Sequence, residues 1–230
     1  MSSLETDRAA FFDADGTLYE GFCIFPIYDA LAKEGVILNS NNEKMQNVLY
    51  TYAAGEIDYA TFVGNTLAVG AESLDGSSVE EAAEVAAGFF TSNSHHWYSY
   101  VRPLIERLKF ADFKIVLITA EPDFIAQGIV RALDLTSSSS SKFDFSDGIF
   151  NGTVHLALGK SEKAKVVDSL LTTSSYSIGF GDSEGDIGML EMVDQAFCVK
   201  PSKKLEEVAK RVGWTIIDEP DSSVAGVINL

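Results

Sequence analysis

A chain of 230 residues, 46% apolar and 22% charged, can bury one sizeable core, or a core with a smaller inserted unit. Its 34 acidic residues against 17 basic ones give a net charge of −17, which makes nucleic acid and anionic membranes poor partners. No apolar run approaches the ~20 residues that span a bilayer, and the polar opening MSSLETDRAA lacks a signal-peptide pattern, so a cytoplasmic protein is expected.

The first predicted element is a strand and its turn, residues 8 to 18. An apolar run, Ala9 to Phe12, ends in two aspartates one residue apart, Asp13 and Asp15, followed by Gly16, Thr17 and Leu18. Carboxylates at the end of a buried strand are unfavourable unless a metal or a reaction needs them. They also fall at the carboxyl edge of a sheet, where α/β proteins place their sites. A calcium loop counted from Asp13 needs Gly at its sixth position and Glu at its twelfth; Leu18 and Ile24 stand there instead, which excludes it.

Residues about 22 to 92 read as four consecutive helices, each with apolar residues at helical spacing. Asp58 is the expected N-cap of the third, and Ser78 with Glu81 fits a capping box for the fourth. Four helices without a strand imply a small bundle. Alternation then resumes. VRPLIERLKF is a helix, FKIVLIT a buried strand, and PDFIAQGIVRALDL a helix with Pro122 near its start. TSSSSS at 136 to 141 reads as a flexible surface loop, and GIFNGTV as part of a hairpin. SEKAKVVDSLL, IGMLEMV and KKLEEVAKRVG read as helices between the strands YSIGF, AFCV and WTII. The pattern is α/β, a parallel sheet with helices on both faces and the bundle inserted after the first strand. Cys23 and Cys198 each lie in an apolar stretch, as reduced core thiols do.

Three later segments place polar groups at strand ends or helix starts. FKIVLIT ends in Thr119. GKSEKAKVV opens a helix with Lys160 and Lys163. YSIGF runs into GDSEGD, which carries Asp182 and Asp186. Each has an ordinary reading alone: a strand-end threonine, a solvated lysine, an acidic turn. Together and in this order they resemble the motifs of the haloacid dehalogenase-like superfamily. The strings FFDADGTL, ITAEPDFI, GDSEGDIGMLEMV and VKPSKKLEEVAKRVGW are similar to its subfamily IB, which contains phosphoserine phosphatase.

The resemblance implies a Rossmann-like parallel-sheet core, residues 1–20 and 93–230, with a helical cap at 21–92. It implies a Mg²⁺-dependent phosphomonoester hydrolase that forms an aspartyl-phosphate on a small phosphorylated metabolite. Asp13 is then the nucleophile and Asp15 the general acid and base. Thr119, Lys163 and the backbone N–H groups of Ala14, Asp15 and Ala120 hold the phosphate. Mg²⁺ is held by Asp13, the carbonyl of Asp15 and Asp182, with Asp186 acting through water or as a weaker ligand. Lys160, one turn before Lys163, is the alternative phosphate lysine, and Lys165 reads as a solvated helix residue. Family members that displace halide lack the second aspartate, so Asp15 favours phosphate esters.

Between residues 19 and 100 only Lys33 and Lys44 are basic, against eleven acidic residues, for a net −9. Phosphoserine phosphatases read their substrate with a cap arginine and glutamate. This segment has no arginine, and Phe22 stands at the glutamate's place, with Glu20 near but offset. Tyr50, Tyr52, Tyr59 and Phe62 are bundle core or, in part, an aromatic pocket for a neutral or cationic leaving group. Tyr19 to Phe22 and the His95-His96-Trp97 stretch read as the two crossings between cap and core. A phosphotransferase or sugar-phosphate mutase using the same intermediate is the enzymatic alternative, and a catalytically silent binding protein the non-enzymatic one. The oligomeric state is left open.

Overall fold

The computed structural model describes residues 8–171 and 176–227. Its strands are β1 (Arg8–Phe12), β2 (Lys114–Pro122), β3 (Ser137–Ser146), β4 (Ile149–Leu156), β5 (Tyr176–Gly181), β6 (Gln195–Val199) and β7 (Thr215–Ile217). They form one sheet in the order β4-β3-β2-β1-β5-β6-β7. All neighbours pair parallel except β3 with β4. β1 is central, and the chain moves to one side of it for β2 and to the other for β5. That reversal opens the crevice where α/β sheets bind ligands.

Strand periodicity sets the two faces. Ala10 and Phe12 of β1 join one apolar cluster, while Ala9 and Phe11 join another on the opposite face. Phe12, Phe180 and Phe197 stack across β1, β5 and β6, with ring centroids 4.4 and 4.7 Å apart. Phe12 pairs with Phe180 in the ladder, so this stack fixes the register of the strand that ends at Asp13.

The four predicted helices form: α1 (Ile24–Lys33), α2 (Asn39–Ala53), α3 (Tyr59–Ser73) and α4 (Val79–Ser92). Asp58 accepts from the Thr61 N–H at 2.8 Å and Ser78 from the Glu81 N–H at 3.3 Å, as helix caps. The bundle shares its core with the sheet. One apolar cluster runs from Phe12 and Phe180 through Leu18 and Phe90 to Met45 and Phe62. α4 packs on α6 (Asp123–Leu133). Gly128 permits this approach, because a Cβ there would lie 3.0 Å from the Phe90 ring. The two crossings pair with each other: Tyr19 bridges Trp97, Glu20 N–H donates to the His96 carbonyl and Tyr98 N–H to that of Leu18.

The remaining helices are α5 (Val101–Phe110), α7 (Lys160–Leu170), α8 (Ile187–Leu190), α9 (Lys203–Val212) and α10 (Val224–Val227), with a 3-10 turn at Ser94–His96. Two expectations need correction. The serine run is not a surface loop but the body of β3, with Ser139, Ser140 and Ser141 buried. Pairing with β2 and β4 overrides its weak intrinsic strand preference, and Ser141 Oγ accepts the Leu158 N–H. IGMLEMV is helical only to Leu190. Asp194 draws the chain back to β5, its carboxylate accepting the Ser177 N–H at 2.7 Å. Cys23 and Cys198 are free and buried, as expected. Among the described residues, no helix is long and apolar enough to cross a membrane.

Candidate active site

β1 delivers Asp13 to the carboxyl edge of the sheet. Asp13 continues the parity of Ala9 and Phe11, toward the face covered by α7. There Lys163, only 4% exposed, donates to Asp13 Oδ1 at 2.6 Å and to Asp186 Oδ1 at 2.7 Å. Lys160 is exposed and points outside this cluster. Of the two lysines, Lys163 is the one brought into contact with Asp13.

After Asp13 the chain turns sharply. The Ala14 carbonyl accepts the N–H groups of Leu18 and Tyr19, and Gly16 N–H donates to Tyr19. Gly16 has φ +71°, and a Cβ there would meet Asp182 Oδ2 at 2.2 Å. The turn thus needs glycine both for its backbone and for the nearness of Asp182. The Ala14 methyl is buried in the core, so only its backbone faces the site. Asp15 Oδ1 accepts the Cys23 N–H at 2.9 Å, which ties the first crossing to the start of α1.

Asp186 is fully buried at the N-cap of α8. Its Oδ2 accepts from the N–H groups of Asp182 and Ser183, and from Ser183 Oγ. It is thus spent on the lysine and on the turn. Ser183 Oγ also lies 3.0 Å from the Tyr59 hydroxyl, a polar link between α3 and the sheet edge. Asp13, Asp182 and Asp186 offer carboxylate oxygens within 4.8 Å of one another, a hard-oxygen set that suits Mg²⁺.

Asp13, Asp15, Thr119, Ala120 and Lys163 line a single cavity of about 50 Å³. Thr119 Oγ1 accepts the Glu121 N–H at 3.1 Å. The far wall is aromatic: Phe22, Phe25, Tyr59 and Phe62 line it, and Phe22 contacts Phe62 with ring centroids 5.0 Å apart. Tyr52 stacks on Phe62 from behind, while Tyr50 is exposed and takes no part.

Glu121 also lines this cavity, buried to 6% exposure, and it is absent from the sequence-based set. The strand was expected to stop at Thr119, whereas β2 continues to Pro122. Ile115 and Leu117 face the bundle side, and the register against β3 shifts between Ile118 and Pro122, across the segment that carries Thr119 and Glu121.

Electrostatics follow from burial. Burial raises Asp13 from 3.8 to about 7; Lys163 opposes the shift and Asp186 adds to it. Burial raises Asp15 as well. Glu121 is pushed well above the carboxylate range by burial and by the adjacent Asp15. Asp182 goes up through burial and the charges of Asp186 and Asp13. For Lys163 burial acts downward, but the carboxylates of Asp13 and Asp186 outweigh it and hold the ammonium charged. A site this rich in carboxylate calls for cationic occupants.

Comparison with known proteins agrees with this geometry. A family profile described as haloacid dehalogenase-like hydrolase matches residues 10–191. A Mycobacterium tuberculosis protein named phosphoserine phosphatase is 27% identical over 225 residues, covering 94% of this chain and 72% of that protein. A Neisseria meningitidis protein named histidinol-phosphatase is 26% identical over 226 residues, covering 91% and 97%. Among solved structures, a Bordetella pertussis protein of unknown function superposes with a TM-score of 0.75 at 22% identity, covering 92% of this chain and 98% of that one. A phospho-aspartyl intermediate analogue of phosphoserine phosphatase gives 0.67 at 15% identity, covering 96% and 98%.

Proposed function

The chain belongs to the haloacid dehalogenase-like hydrolase family as a phosphatase, and we propose that it hydrolyses monoesters of small metabolites through a phosphorylated Asp13. The observation that carries this reading is the Asp13–Lys163 contact in a small cavity that Asp15 also lines. Asp13 Oδ attacks phosphorus in line, and the ester oxygen leaves with the proton of Asp15. Asp15, now ionised, takes a proton from water as that water attacks the aspartyl-phosphate, and Asp13 and inorganic phosphate are released. The raised proton affinity of Asp15 suits its first role.

Charge sets the main barrier. At ~4 Å and an effective dielectric near 20, each pair of like unit charges repels by about 4 kcal/mol. Lys163 offsets part of this, since its ammonium faces both the nucleophile and the phosphate position. Asp186 holds that ammonium in place. Thr119 and the N–H groups of Ala14, Asp15 and Ala120 serve the phosphate oxygens. Asp13, the carbonyl of Asp15 and Asp182 would hold Mg²⁺, with Asp186 adjoining. When bound, the ion supplies charge neutralisation at the phosphate.

Residues 21–92 serve as the cap that excludes water, joined to the core at the two paired crossings. Its net charge of −8 and its aromatic wall favour neutral or cationic leaving groups over anionic ones. The relatives' names specify phosphoserine and histidinol phosphate. What carries over to this chain is the coarser class, a phosphate ester of a small metabolite.

A panel of phosphomonoesters assayed for released phosphate, with Mg²⁺ and with excess chelator, tests the reading. Phosphate release that needs Mg²⁺ is expected. Activity only with a bisphosphate primer would mark a mutase, and silence across the panel a binding protein.

A further inference from the structure

We propose that the alcohol half of the substrate lies in the groove between α3 and the start of α7, that it is a bulky ring-bearing alcohol without net charge, and that Gly64 sets its size limit. This rests on the phosphatase reading above and deepens it, by naming where the leaving group lies and what admits it. The groove measures about 570 Å³, against about 50 Å³ for the reaction cavity. The two spaces adjoin, since Tyr59, Val63, Leu67, Ala120 and Lys163 line both. Tyr59, Val63 and Leu67 stand at i, i+4 and i+8, so one stripe of α3 forms the divide.

The ester oxygen has to lie within reach of Asp15, which lines the smaller cavity alone. That cavity is on the scale of a few water molecules. With phosphate in it, an alcohol of any size has to run on past Val63 and Leu67 into the groove.

The lining of the groove selects the alcohol. Val63 and Leu67 of α3 and, from the core, Leu158 and Ile187 give it apolar walls, which suit a ring. Its charged groups balance, with Asp58, Glu162 and Glu184 against Lys160, Lys163 and Lys204. Lys204 lies 3.7 Å from Glu184, and Lys163 is held by Asp13 and Asp186. In a chain of net charge −17 this groove favours neither sign, and apolar contact is what it offers.

Its width is set on α3. Ala60 and Gly64, one turn apart, line the groove and not the reaction cavity. Glycine in a helix interior is less favourable than alanine. Packing does not require it here, because a Cβ on Gly64 would meet nothing within 4 Å. What the missing side chain leaves is open space on the groove.

The experiment compares 2-(1-naphthyl)ethyl phosphate with propyl phosphate as substrates with Mg²⁺. Both are esters of primary alkyl alcohols, so they differ in the body of the alcohol and not at the ester oxygen. Expected is a kcat/KM for the naphthyl ester at least about tenfold above propyl phosphate, with that ratio falling at least about tenfold in Gly64→Leu. Gly64→Leu should melt no lower than the parent, since leucine outranks glycine in a helix, so the fall reads as occlusion and not as damage to the fold. If Gly64→Leu does not fold, Ala60→Leu takes its place. A ratio in the folded variant within about twofold of the parent's overturns this inference alone, as does a parent that releases phosphate from propyl phosphate at least as well as from the naphthyl ester. No release from any monoester overturns the phosphatase reading, and this inference with it.

Discussion

Lys163 carries two loads at once: it pairs with Asp13, the proposed nucleophile, and it neutralises Asp186, which has no exposure to water. Removing it leaves a buried carboxylate uncompensated, which typically destabilises by about 3 kcal/mol or more. Lys163→Met should therefore lose both turnover and a comparable amount of stability in urea unfolding, while Lys160→Met, on an exposed side chain, should change neither. Equal effects of the two would remove Lys163 from its role. Asp13→Asn is the complementary test. It keeps the side chain's volume and should fold normally yet lose about 10³-fold or more in kcat; a folded, metal-loaded variant that keeps most of its rate would refute the nucleophile assignment. At this scale the sequence was legible wherever chemistry made a residue conspicuous. Acidic groups ending an apolar strand mark Asp13, Asp15, Asp182 and Asp186. The motif resemblance put Lys163 ahead of Lys160, but the sequence left Lys160 open, because the rotation of α7 against the sheet decides which one turns inward.

Helices α1 to α4 were readable because each buries one stripe and exposes the rest, so periodicity and caps agree. β3 was not, because five serines carry no apolar alternation and the strand exists only through its two neighbours. The same blindness hid Glu121, since the length of β2 depends on β3 pairing as far as Pro122. Between α3 and the sheet edge, the Tyr59 hydroxyl, Ser183 Oγ and Asp186 Oδ2 form one polar chain with steps of 3.0 and 3.2 Å. It connects the bundle to the group that holds Lys163. Tyr59→Phe deletes the first link and little else. A net hydrogen bond of about 1 kcal/mol corresponds to roughly fivefold in kcat/KM, with a melting shift of only a few degrees. Steady-state kinetics beside a thermal melt will check this. A melt lowered sharply with kinetics unchanged would assign Tyr59 to packing alone.

The molecule as a whole concentrates acid at one end of its sheet, and its stability must respond to pH. Burial raises Asp13 from 3.8 to about 7, so between those values the folded chain binds more protons than the unfolded one. Stability then falls as pH climbs through that window. For Asp13 alone the loss is on the order of 4 kcal/mol. Asp15, Asp182 and Glu121 shift in the same direction. The metal-free protein should accordingly melt lower at about pH 7.5 than at about pH 5, and Mg²⁺ should flatten that slope because it favours the ionised carboxylates. A metal-free midpoint that rises over this range would contradict the charge arrangement described. A different consequence follows from the paired crossings, where Tyr19 meets Trp97 and Glu20 meets His96. A stretch whose two ends touch can be exchanged for another of different length without re-threading the sheet. The seam of α4 on α6 dictates what any replacement must bring, an apolar face with a ring to lie over Gly128. Drift in α2 and α3 can then reshape the aromatic wall of the cavity while β1 and Asp13 stay where they are. The aromatic wall contributed by the bundle and the carboxylate cluster at the sheet edge can in this way vary separately along one chain.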